Sequence, residues 1–482
     1  MLYDQKKFNE MLRELIEKSD YTIYALSKQS GVNRTTIQKS LSGDRILSKE
    51  QLGAILPFLH LTPHEKNDLF KLHQIEQMGF TTYLRCEHIK NLAENINEEK
   101  NSEYSFHYNE KMHPNKLKLP YSCQKQYPIL NLIYHLIGDI SHTEKAPYVY
   151  LFCPFDDLFV SDILSLFQKD DYANLKITHV IPFVKGGKTN EVSAITNVKM
   201  LSFILPFIFN NCTDYIAYYY YEESLLSKMQ IPFPYYLITN KHVLLISGDY
   251  QTALLLDAKM HDYYLKTFLN LCKESKNLIQ HTSSSLALTN QCPGAHPQES
   301  YYSLNRQPCI LLCIDSDIPE RLIHDSCFQK QTIISNLVEQ HYYLKRFKET
   351  LTAFSLDGLD KFCKDGEISG YPRELYRPFT PQERRTILEQ ILQFNSSKTN
   401  QFFIINDKHF HPSEKFSFYS NGIDAFFTYL EGNNCKICTI HETSITFAIK
   451  DFMEHAVEQH FFYSIQESNT MIYNAILRIP TD

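Results

Sequence analysis

The sequence predicts a multidomain chain: a small all-α N-terminal domain of five helices, followed by a large α/β or α+β C-terminal region. Three observations carry that expectation. Apolar residues recur at helical spacing over residues 8–78, with capping and turn residues between the runs. Beyond Pro147 short β-prone runs alternate with helical patterns and then cluster. The length, 482 residues, exceeds one ordinary domain.

The elements follow in order. Residues 4–19 set Phe8, Met11, Leu12, Leu15 and Ile16 on one helical face. Thr22 caps a second helix carrying Ile23, Ala25 and Leu26, and Gly31 supplies a turn position where positive φ costs little. Asn33 opens a third helix to Ser42 with two faces. Val32, Ile37 and Leu41 point inward; Arg34, Thr35, Gln38 and Lys39 point outward. Ser48 and Gln51 form a capping box for a fourth helix that Pro57 kinks or ends. Thr62-Pro63-His64-Glu65 starts a fifth that runs to about Met78.

Residues 83–98 and 128–140 read as helices, and the polar stretch 99–125 as a linker. Strands are expected at 148–152, 175–184, 215–221, 235–239, 243–247 and 252–256, with helices at 156–167, 198–210 and 258–277. The Ser, Pro and Gly content of 281–300 marks a boundary. Beyond it, strands are expected at 309–314, 402–405, 423–430, 436–440 and 445–449. Helices are expected from Thr380-Pro381-Gln382-Glu383 and around 452–460 and 471–477. The resulting division is 1–80, the helical domain; 81–145, a helical connector; 146–280, an α/β sensor domain; and 300–482, an α+β domain. No repeat at a period of 20 to 50 residues is visible, which disfavours a solenoid.

Composition narrows the function classes. A 43% hydrophobic content supports packed cores, and only 14 glycines argue against a Gly-rich phosphate loop at the centre of function. The net charge of −7 excludes a generic polyanion binder, so any nucleic-acid contact is local. Twelve scattered cysteines suit reduced thiols. The N-terminus lacks an apolar signal core, and the longest apolar run, 200–209, is broken by Pro206. A cytoplasmic protein with no membrane span is expected.

Residues 28–49 carry Lys28, Arg34, Lys39, Arg45 and Lys49 against Asp44 alone, although residues 1–80 are nearly balanced in charge. That concentration suits phosphate contact. Arginine can bridge the two acceptors of guanine and glutamine can pair with adenine in the major groove.

The run Ala25-Leu26-Ser27-Lys28-Gln29-Ser30-Gly31-Val32-Asn33-Arg34-Thr35-Thr36-Ile37, followed by Leu41-Ser42-Gly43, resembles the helix-turn-helix of the Cro/C1-type (XRE) family of transcriptional regulators. The resemblance covers about residues 8–78. It implies base reading by Arg34, Thr35, Gln38 and Lys39, and backbone contacts by Thr22, Ser42 and Arg45. Leu41 departs from the family, where many members carry a glutamate.

Other candidates read as structural. Cys435-Lys436-Ile437-Cys438 with His441 lacks the second pair that a zinc site needs, and Cys309 and Cys313 read as buried thiols. His409 and His411 would share one face of a strand without a further ligand, and Tyr218 to Tyr221 read as core. No G-x-S-x-G, H-E-x-x-H or P-loop occurs, so neither a catalytic residue nor a metal or cofactor site is assigned.

The leading expectation is therefore a sequence-specific DNA-binding transcriptional regulator, not an enzyme. It would bind double-stranded DNA as a homodimer, with a C-terminal region that senses an effector ligand or protein and mediates dimerisation. The alternative is a DNA-targeted enzyme with its activity in the C-terminal α/β region. A peptide-pheromone receptor is disfavoured by the strand-rich pattern.

Overall fold

A computed structural model describes residues 7–96, 114–154, 158–167, 174–185, 191–209, 214–222, 231–278, 280–282, 300–314, 317–327, 329–369, 373–397, 399–431 and 434–480. The chain is multidomain and mixed α/β, and forms two compact units, Met1–Leu84 and Arg85–Asp482.

The smaller unit contains α1 (Phe8–Lys18), α2 (Ile23–Ser30), α3 (Arg34–Ser42), α4 (Lys49–Ile55) and α5 (Pro63–Met78). Side-chain caps define the starts: Thr22 accepts from the Ala25 amide, Asn33 from Thr35, Ser48 from Gln51 and Thr62 from Glu65. Gly31 (φ 73°) and Gly43 (φ 84°) end α2 and α3 in the left-handed region. After α4 a 3-10 turn, Leu56–Phe58, accommodates Pro57. Phe8, Leu12, Leu26, Ile37, Leu52 and Leu69 meet in one core.

The larger unit opens with the end of α6 (Phe80–Asn95). It continues through β1 (Tyr121–Gln124), α7 (Gln126–Thr143), β2 (Tyr148–Phe152), α8 (Leu158–Leu166), β3 (Lys176–Val184), α9 (Glu191–Phe209) and β4 (Asp214–Glu222). Next come β5 (Tyr235–Thr239), β6 (Val243–Ile246), β7 (Thr252–Leu255), α10 (His261–Glu274) and β8 (Lys276–Asn277). A second series follows: β9 (Gln280–Thr282), β10 (Ser300–Asn305), α11 (Ile318–Leu322), α12 (Lys330–Leu344), β11 (Glu349–Phe354), α13 (Leu356–Asp365) and α14 (Pro381–Ser397). It ends with β12 (Asn400–Ile404), β13 (Phe416–Ser420), β14 (Ala425–Glu431), β15 (Asn434–Ile440), α15 (Thr443–His455) and α16 (Ile465–Arg478).

Two sheets result, ordered β1-β7-β6-β5-β2-β3-β4-β8 and β12-β11-β10-β13-β14-β15-β9. They are one topology used twice. β2, β3 and β4 run parallel, as do β10, β11 and β12. The first strand of each trio then pairs antiparallel with a three-strand meander, β5-β6-β7 or β13-β14-β15. Each meander leads to a helix, α10 or α15, and each takes an upstream strand, β1 or β9, onto its outer edge. The repeat is far longer than 50 residues.

Packing of the two sheets differs. The first buries one face with α7, α8 and α9, while Phe268 of α10 covers the other beside Val180, Tyr236 and Ile238. The second packs α12, α13, α14 and α16 on one face and α15 on the other. A single core joins the α9 side of the first sheet to the α15 side of the second, with Phe209 stacked on Tyr429 at 5.3 Å between ring centroids.

Several sequence expectations change. Residues 445–449 are helix, not strand. The Glu442 carboxylate accepts from the Ile445 amide, and Ile445, Ala448, Ile449, Phe452 and Met453 are buried at helical spacing. Residues 309–314 hold a 3-10 turn, Ile310–Leu312, in place of a strand; its apolar run docks before α12, where His341 Nδ1 lies 2.6 Å from the Leu311 carbonyl. His409 lies in a turn and not on a strand, because Phe410 swings fully into the core. On α10, Phe268 is buried and its neighbour Leu269 is exposed. β1, β8, β9, β10, β11 and β13 had no counterpart in the sequence reading, and β8 occupies the end of the expected helix 258–277. Among the described residues no helix is long and apolar enough to cross a membrane.

Candidate active site

The second meander builds the site. Its last hairpin pairs Ala425 with Ile440, so one step further along the register Asp424 stands opposite His441. The turn before β14 fixes Asp424. Gly422 takes φ 85°, and Asn421 Oδ1 accepts from the amides of Ile423 (3.0 Å) and Asp424 (2.8 Å). The Asn421 amide nitrogen donates to the Tyr343 hydroxyl at 3.1 Å, which ties the turn to α12.

Asp424 is buried, with a side chain 7% exposed, while that of His441 is 45% exposed. Asp424 Oδ1 lies 2.5 Å from His441 Nδ1. A buried carboxylate at Nδ1 holds the proton there and leaves the Nε2 lone pair as the basic position. The bond thus selects both the tautomer and the ring plane.

The next residue, Glu442, is buried and does two things. One oxygen caps α15 by accepting from the Ile445 amide at 3.1 Å and from the Ser444 hydroxyl. The other accepts from the Tyr221 hydroxyl at 2.9 Å. Two residues earlier on β4, the Tyr219 hydroxyl donates to the His441 carbonyl at 2.6 Å. Burial, and then the Glu442 charge, push both phenols above the ordinary tyrosine range, so both stay protonated donors. These tyrosines occupy the carboxyl-terminal end of a parallel strand, the side where open α/β sheets gather ligands. The site therefore draws on both sheets.

The first meander carries no such dyad. At the turn matching Asn421–Asp424 stand Asn240, Lys241 and buried His242, and Lys241 pairs with Asp139 at 3.1 Å and Glu144 at 3.4 Å.

All eight residues assigned to DNA contact are exposed: Thr22, Lys28, Arg34, Thr35, Gln38, Lys39, Ser42 and Arg45. They lie along α2, α3 and the adjoining turns, with Ile37 and Leu41 buried behind α3. Two are engaged locally: Thr22 caps α2, and the Ser42 hydroxyl lies 2.6 Å from Asp44 Oδ2. Of the metal candidates, Cys438 is buried and His441 is committed to Asp424, and the described residues hold no cluster of three potential ligands.

Sequence reasoning noted His441 only beside the cysteines and missed Asp424. A signal existed. The hairpin register that pairs Glu431 with Asn434 places 424 across from 441, and Asn421-Gly422 marks the preceding turn.

No family model matches the chain, and no curated protein does. Among solved structures, the chain is similar to a phosphatidylserine synthase from Haemophilus influenzae Rd KW20, at 10% identity and TM-score 0.21, covering 73% of this chain and 92% of that one. It is also similar to a polyphosphate kinase from Porphyromonas gingivalis, at 11% identity and TM-score 0.21. That match covers 69% of this chain, which spans about half (49%) of the kinase. Both are enzymes by name, and neither is a regulator of transcription. The expectation of a DNA-binding transcriptional regulator without enzymatic activity is corrected accordingly. At these TM-scores the likenesses carry no argument about the residues of this chain, so the reading below stands on its geometry.

Proposed function

We propose that the chain is a nucleic-acid-targeted enzyme whose acid–base chemistry resides in the larger unit, at Asp424 and His441. The observation that supports this reading most is the buried Asp424 carboxylate 2.5 Å from Nδ1 of a half-exposed imidazole. His441 Nε2 would take a proton from the attacking group and return it to the leaving group, while Asp424 stabilises the imidazolium formed between the two steps. The smaller unit would supply targeting, with Arg34, Thr35, Gln38 and Lys39 facing double-stranded DNA.

The test is incubation of the full chain with single- and double-stranded DNA, following cleavage or modification by gel and mass spectrometry. Turnover should vanish in His441→Asn and fall by roughly 100-fold to 10,000-fold in Asp424→Asn. Unchanged turnover in both variants would sink the assignment.

A further inference from the structure

We infer that Tyr219 and Tyr221 of the first sheet are positioning residues for the His441 imidazole of the second, so that neither half of the duplicated unit is competent alone. This rests on the acid–base reading of Asp424 and His441.

The argument begins with what holds a half-exposed ring. The Asp424 bond fixes Nδ1, but one hydrogen bond leaves the ring free to pivot with its own backbone. His441 sits between the end of β15 and the first residue of α15, outside both regular elements. Its carbonyl is pinned by the Tyr219 hydroxyl at 2.6 Å. The following side chain is pinned by the Tyr221 hydroxyl at 2.9 Å, through a carboxylate whose other oxygen is locked into the α15 cap. The two rings brace each other edge to face, with centroids 5.5 Å apart. Alternate residues of one strand point to the same face, which is why Tyr219 and Tyr221 reach the same dipeptide.

These two contacts join opposite sheets of the larger unit. Tyr219 is buried and belongs to the core shared by both sheets, so its hydroxyl is delivered on a rigid support. Tyr221 is partly exposed, and its hydroxyl meets a carboxylate that already serves a helix N-terminus. A side chain that merely filled space there would need no hydroxyl. Both tyrosines spend theirs on the residue pair carrying the imidazole.

The two hydroxyls bond to the His441 carbonyl and the Glu442 carboxylate and not to the imidazole, so their effect passes through the backbone at 441–442. Loss of the Tyr219 hydroxyl frees the His441 carbonyl and lets Nδ1 drift from Asp424. The ring then populates both neutral tautomers, and the fraction with a basic Nε2 falls.

Nitrogen-15 NMR of histidine-labelled full-length chain reads this directly, with His441→Asn identifying the signal. The wild type should show His441 as a single neutral tautomer protonated on Nδ1. Tyr219→Phe should shift both ring nitrogens toward the averaged values of a mixed tautomer, and Tyr221→Phe should do so to a smaller extent. In turnover, Tyr219→Phe should lower kcat by about 10-fold to 100-fold with KM unchanged. Wild-type ring shifts in both phenylalanine variants would overturn the inference. Because the tautomer is read without substrate, that outcome is distinct from a wild-type chain with no turnover, which would count against the functional reading alone.

Discussion

At the scale of single residues the larger unit holds several titratable side chains inside its sheets, among them a histidine. His179 of β3 is fully buried, with Nδ1 2.9 Å from the Tyr215 hydroxyl and Nε2 2.9 Å from the Cys153 carbonyl. Burial lowers its pKa from the ordinary 6.5 to about 4. Between those values the unfolded ring binds a proton that the folded ring refuses, so stability rises with pH across that window and is lost as pH falls through it. The full contribution is about 3 kcal/mol. Urea midpoints should therefore drop from pH 7 to pH 5, and His179→Gln should show a shallower drop. Burial also lowers His73, His88 and His242, so the variant keeps part of the slope. An identical drop in wild type and variant would contradict the assignment. The residue scale also marks what the sequence displayed. His441 was visible as a residue but not as a partner of Asp424, because seventeen positions separate them and only the β14–β15 register makes them neighbours.

Elements were legible where a side chain answers its own backbone. The capping pairs at Ser48 and Thr62 announced helix starts, because a hydroxyl and a carboxylate or amide three residues apart can satisfy two orphan amides. The α15 start was missed because Glu442 caps as a single carboxylate without that pairing, and Ile445 to Ile449 looked like a buried strand in isolation. β10 was hidden in the same way, since Tyr301, Tyr302, Ser303 and Leu304 are all buried and show no alternation. The α13 start shows how close such an entry can be. Ser355 Oγ lies 2.8 Å from the Arg306 carbonyl and accepts from the Gly358 amide at 3.0 Å. A Cβ on Gly358 would fall 1.8 Å from that carbonyl oxygen. Gly358→Ala must therefore separate α13 from the chain after β10, at a cost above about 3 kcal/mol. Calorimetry should show a Tm well below that of wild type, and an unchanged Tm would mean that the backbone relaxes freely there.

Across the whole molecule, duplication and asymmetry act together. Both sheets share a strand order, yet the dyad lies in the second meander and its two tyrosine supports in the first sheet. The sequence hid this architecture because the two halves keep their topology while their turns differ: Asn240-Lys241-His242 in one, Asn421-Gly422-Ile423-Asp424 in the other. The helical unit obeys a different logic, since its outward residues are not needed for its core. Arg34 and Lys39 are exposed on α3, with Ile37 and Leu41 buried behind them, so replacing both with alanine should change stability by less than about 1 kcal/mol. If that face contacts phosphate or base edges, the same double variant should weaken retention on DNA and flatten its salt dependence, lowering the slope of log affinity against log salt by about 2. The histidine tautomer at 441 should stay as in wild type, because no part of the dyad changes. Fluorescence anisotropy over a salt series measures the slope. Equal slopes for wild type and variant would remove this face from nucleic-acid contact and leave the chemistry of the larger unit without its proposed targeting module.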